Sequence, residues 1–60
     1  MPVITLDIME LEKSQKEQLV KEFTETASRV TGIPADLFYV FINESKKENI
    51  GVGGTLLSEQ

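Results

Sequence analysis

Two residue types that carry much of enzyme proton and nucleophile chemistry are missing from this chain: it has no histidine and no cysteine. Without a thiol there is no thiolate nucleophile or redox pair, and without an imidazole the usual general base and the commonest metal ligand are gone. Among unperturbed groups only an α-amine has a reference pKa near neutrality, at ~7.7–8.0. Pro2 can become that amine, because an initiator methionine is normally removed ahead of a small residue. The product is a secondary amine on a rigid ring. In an apolar pocket its charged form is disfavoured and its pKa falls, which suits it to shuttle a proton between carbon and oxygen. If Met1 stays, the same nitrogen is an amide with no basic lone pair. Many chains begin Met-Pro without catalytic meaning, so Pro2 needs company before it counts.

The other candidates are weaker. Asp7, Glu10, Glu12 and Glu44 are carboxylates that could form an acid/base pair, but nothing in their spacing brings two together. The Gly51-Val52-Gly53-Gly54 cluster resembles a phosphate-cradling loop only superficially. It lacks the Lys-Ser/Thr of a P-loop and has no room for a helix after it. Its glycines fit a tight hairpin, where positive φ is needed.

The elements that must position Pro2 can be read from periodicity. Ile4, Leu6 and Ile8 alternate with Val3, Thr5, Asp7 and Met9, a strand pattern over 3–9. Ser14 and Glu17 have the spacing of a capping box, which predicts a helix starting there with Leu19, Val20, Phe23, Ala27 and Val30 on its apolar side. Gly32 and Pro34 end it. Leu37 to Ile42 is an unbroken apolar run, expected as a strand covered on both faces, and a short hairpin brackets Gly53-Gly54. The fold class is therefore α+β: one domain over 1–60, a β-α-β unit whose helical crossover makes the strands parallel, plus a C-terminal hairpin. One helix covers one sheet face. The other face, whether Phe38, Val40 and Ile42 or Leu37, Tyr39 and Phe41 lie on it, needs a second protein surface, which predicts assembly beyond a dimer.

Composition narrows the partners. Six basic against ten acidic residues give a net charge of −4, which offers no basic track for nucleic acid. No apolar run approaches the ~18 residues of a membrane span and no signal peptide is visible, so the expected location is cytoplasmic. No cofactor is implied. At 60 residues a chain buries only ~60% of its unfolded surface; with no disulfide or metal ligand of the usual kinds, oligomerisation is the remaining support.

Taken jointly, Met-Pro-Val-Ile-Thr at the start, Ser14 to Leu19 at the helix entry, the Ile33-Pro34 turn, a second strand ending in Glu44 and Gly51-Val52-Gly53-Gly54 resemble the 4-oxalocrotonate tautomerase family over nearly the whole chain. That resemblance implies a β-α-β protomer in a homohexamer, a trimer of dimers. It also implies an isomerase in which Pro2, freed of Met1, is the general base for keto-enol or double-bond proton transfer in a 2-oxo acid or related enol. The family's best-known members bind substrate carboxylates with an arginine after the first strand, where Leu11, Glu12 and Lys13 stand here, and a second in the second strand, where Tyr39 stands. An aromatic precedes their glycine cluster, where Ile50 stands. The expected site is then Pro2 as base, Lys13 as the substitute cation, Tyr39 as hydrogen-bond donor, and Ile50 with Val52 as apolar wall; Lys46 or Lys47 of a neighbouring copy could add a cation. The rival expectation, of another class, is a non-catalytic oligomeric module that keeps the fold without the chemistry.

Overall fold

Alternation at the N-terminus produces β1 (Val3–Met9), whose side chains alternate between half-buried and exposed along its whole length. The computed structural model describes residues 1–60. After β1 come α1 (Lys13–Thr31), a 3₁₀ turn (Ala35–Leu37), β2 (Tyr39–Ser45), a second 3₁₀ turn (Lys47–Asn49), the hairpin strands β3 (Gly51–Val52) and β4 (Thr55–Leu56), and a last 3₁₀ turn (Leu57–Glu59). β1 and β2 pair in parallel, with Val3 opposite Tyr39 and Met9 opposite Ser45. β3 and β4 pair antiparallel as the expected hairpin, with Gly53 and Gly54 at φ +61° and +88° in its turn.

The helix begins earlier than its serine suggests. Glu12, not Ser14, is the N-cap: its backbone N–H donates to Gln15 Oε1 at 3.0 Å, and its carbonyl accepts from the amides of Gln15 and Lys16. The same i, i+3 reciprocity that Ser14 and Glu17 offer is thus made two residues upstream, where the strand has just ended and the chain must turn. At the other end Gly32 takes φ +77° and its N–H donates to the Ser28 carbonyl at 2.9 Å. A left-handed residue there is cheap only for glycine. Arg29 lies in this last turn, complementing the helix dipole.

Register settles which sheet face the helix covers. Ile4, Leu6, Ile8, Val40 and Ile42 are half-buried and face α1, whose contribution is Leu19, Phe23 and Ala27. Val20 and Val30, on the expected apolar stripe, are exposed, and half-buried Lys16, Thr24 and Ser28 complete the inward line instead. Leu37 bends into the 3₁₀ turn rather than starting the strand, and β2 runs on through Asn43, Glu44 and Ser45. The far face is bare: Val3, Tyr39, Phe41 and Met9 are 45–51% exposed. Asp7 and Asn43, register partners on that face, are joined by a side-chain hydrogen bond of 3.0 Å.

No residue of the single chain is buried. Its radius of gyration is 14.8 Å, against about 10 Å for a compact domain of this length. The hairpin packs back on the Lys47–Asn49 turn, held by the Leu57 N–H to the Ile50 carbonyl at 2.8 Å. The unit is a thin two-layer sandwich with an arm.

Candidate active site

Pro2 stands at the head of β1. Its carbonyl accepts from the Tyr39 N–H at 3.0 Å, which extends the parallel ladder by one bond and fixes the proline beside the first residue of β2. The residue is half-buried, while Met1 before it is 80% exposed. Tyr39 is 51% exposed and lies on the bare face. These two expected site residues are therefore neighbours.

Ile50 lies at the other end of the sheet. With Asp7, Ile8, Met9 and Ser45 it lines a cleft of about 400 Å³ beyond the carboxyl ends of the strands. A second hollow, lined by Met9, Glu10, Ser45 and Lys47, shares two of those residues, so the two run together. Val52, 60% exposed in β3, follows Ile50 into the arm. β1 spans about 20 Å at ~3.3 Å per residue, so one chain holds Pro2 and Tyr39 far from its own Ile50. Lys13 opens α1 with its side chain 89% exposed, its Nζ 3.9 Å from Glu17 Oε1, and it lines neither hollow. Lys47 does line one, and it enters no ion pair.

Beside this cleft is the strongest polar cluster in the molecule. Glu44 accepts from the Leu11 N–H at 2.9 Å through Oε2 and from Lys16 Nζ at 2.7 Å through Oε1. The Leu11 N–H above all, and then the Lys16 ammonium, hold its carboxyl below the usual carboxylate range. No three carboxylates gather where they could hold a metal ion, and no helix is long and apolar enough to cross a membrane.

The profile of the family described as "Tautomerase enzyme" matches residues 2–60. The chain belongs to the tautomerase family. A probable tautomerase of Lactiplantibacillus plantarum is 34% identical to it, covering 100% of this chain and 95% of the relative. A probable tautomerase of Bacillus cereus is 36% identical over the full length of both. Among solved structures, YwhB, a homologue of 4-oxalocrotonate tautomerase, superposes with a TM-score of 0.88 at 33% identity, covering 98% of each chain. Another homologue of that enzyme reaches 0.92 at 31% identity, over 100% of this chain and 97% of its own.

The likeness takes in the whole tautomerase, the C-terminal arm included, and it makes this chain an enzyme rather than a bare module. Met9 and Ser45 were not among the residues singled out from the sequence, whereas Lys47 was, as a cation offered by a neighbouring copy. The signal for Met9 and Ser45 is their place as the last register pair of the sheet, which is legible only once the pairing offset is known.

Proposed function

We propose that this tautomerase isomerises enols or double bonds of 2-oxo acids, with the amine of Pro2 as the base, at a site shared between copies of the chain. The neutral amine takes the proton from the enol oxygen, the carbon bearing that oxygen becomes the carbonyl, and the resulting ammonium returns the proton to the far carbon of the former double bond. Bonds are exchanged, composition is unchanged, and no cofactor is needed. The observation that carries the reading is the separation of Pro2 and Tyr39 from the Ile50 cleft by the length of β1. Residues that cannot meet within one chain can meet between two, and the bare sheet face and protruding arm supply the surfaces for assembly. In this reading Tyr39 donates to a substrate oxygen, Ile50 and Val52 keep the amine in apolar surroundings, and Lys47 meets the substrate carboxylate with Lys13 at the rim. A homohexamer satisfies both the sheet face and the arm.

Complementation tests this. One population has its amine blocked by acetylation after Met1 removal, and a second carries Ile50→Asp. Each alone is expected to be inactive on an enolised 2-oxo acid. Unfolded, mixed and refolded together, they should recover a substantial fraction of activity, because a hybrid joins an intact proline to an intact cleft. Full activity of the acetylated chain by itself would exclude the amine. Inactive individual proteins with no gain on mixing would place the whole site within one chain.

A further inference from the structure

The Glu44 cluster ties together the two chain segments that carry the walls of the cleft without itself lining it, and none of the roles assigned so far uses it. Glu44 immediately precedes Ser45, on the β2 wall, and its carboxylate takes the N–H of Leu11, which immediately follows Glu10 on the opposite wall. The partner amide is a loop amide: Leu11 lies between the end of β1 and the N-cap Glu12, so helix hydrogen bonding leaves it free for a side chain. The second carboxylate oxygen goes to Lys16, one turn into α1. The side chains of Lys16 and Glu44 are 33% and 27% exposed, the other ion pair of the chain 89% and 68%. Exposed pairs are loosely held, whereas a carboxylate bonded to a backbone amide and a half-covered ammonium has its rotamer fixed from two sides.

We propose that Glu44 is a positioning residue: by bonding Leu11 it sets the distance between the Met9-Glu10 wall and the Ser45-Lys47-Ile50 wall, and so shapes the cleft for a small 2-oxo acid. This rests on the reading above that the cleft faces the substrate. Glu44 itself touches no reacting atom. Its absence lets the turn from Met9 to Glu12 move away from β2, so that the cleft widens and binding weakens, while the proline at the other end of the sheet keeps its chemistry.

The test uses the full chain and three variants: Glu44→Ala, Glu44→Gln, which keeps a neutral acceptor for the Leu11 amide, and Lys16→Met, which removes the ammonium alone. Three quantities are read: exchange of the Leu11 amide proton, kcat and KM on an enolised 2-oxo acid, and NMR shifts of the Met9, Ser45 and Ile50 amides on titration with 2-oxobutanoate. Glu44→Ala is expected to speed Leu11 exchange and to raise KM about tenfold with kcat changed much less. Glu44→Gln should restore most of the lost binding, and Lys16→Met should leave KM within about twofold. Release of the Leu11 amide in Glu44→Ala with KM and 2-oxobutanoate binding unchanged overturns the proposal, as does a titration that never perturbs the cleft amides. If Glu44→Ala does not fold, Glu44→Asp, one methylene too short to hold the Leu11 amide, decides: exchange faster and KM higher in parallel support the role, while unchanged KM with faster exchange ends it. A wild-type chain that turns over no enol but binds 2-oxobutanoate in the cleft, more weakly in Glu44→Ala, would end the isomerase reading and leave the Glu44 role standing.

Discussion

Lysine choice at the cleft shows what a single position decides. Lys13 sits at the right place in the sequence to stand in for a missing arginine, yet its ammonium is in solvent beside Glu17, while Lys47 lines the hollow that joins the Ile50 cleft. A charge-assisted hydrogen bond is worth about 1.5–3 kcal/mol, so Lys47→Ala should raise KM for a 2-oxo acid about tenfold or more, and Lys13→Ala should change it less than about threefold. Steady-state kinetics of the two variants side by side check the assignment; the reverse order would restore Lys13. Glu44 makes a prediction of its own in acid. Its carboxyl titrates below the ordinary ~4.3 because the folded state favours the carboxylate. The stability this confers is complete above that value and is lost as pH falls through the lowered folded pKa. Acid unfolding followed by circular dichroism should therefore show wild type and Glu44→Gln converging below about pH 4 and separating above it. A constant gap across that range would mean the bond is made equally well by the protonated group.

At the level of elements, the helix boundaries show why some of the fold could be read directly and some could not. Gly32 followed by Pro34 leaves one solution, since a left-handed cap fits glycine and the proline blocks a restart. The helix entry has two competing capping pairs three residues apart, Glu12 with Gln15 and Ser14 with Glu17, and intrinsic preference favours serine as N-cap. Tertiary geometry overrides it, because the Glu44 carboxylate pins Leu11 and sets where the chain turns. Gln15→Ala removes the acceptor of the Glu12 N–H and should cost about 1 kcal/mol, whereas Ser14→Ala should stay within about 0.5 kcal/mol. Denaturant midpoints at fixed chain concentration measure both, and a larger loss for serine would return the cap to it. The parallel pairing was legible from the helical crossover between the two strands, and the hairpin from the Gly-Gly turn. The candidate site was legible as residue types, Pro2, Tyr39 and Ile50, but not as a place. Which strand end each occupies depends on a register that pairs residues 36 positions apart, and no local pattern encodes that offset.

For the whole molecule, the deciding quantities are a sheet with one uncovered face and a chain in which nothing is buried. Full burial of a large apolar side chain contributes ~1.5–3 kcal/mol, and Val3, Leu37, Tyr39 and Phe41 each keep about half of their surface in water. That unrealised stabilisation is comparable to the entire margin of a small domain. Light scattering at micromolar concentration should find a homo-oligomer larger than a dimer. A folded monomer would show that the sandwich stands on its α1 face alone and would remove the shared site with it. Asp7 and Asn43, bonded to each other on this face, satisfy one another and so reduce the penalty of covering them.

If assembly supplies the interior that the single chain lacks, folding obeys mass action. When folding and association are one event, each tenfold rise in chain concentration adds roughly 1 kcal/mol of stability per chain, so the melting temperature should climb across a dilution series instead of staying constant as it does for a monomer. A constant midpoint would separate the two events. The abundance of the protein would then govern more than the number of sites available: below a threshold of expression, newly made chains would stay open to proteolysis, and catalytic capacity would rise more steeply than the amount of polypeptide.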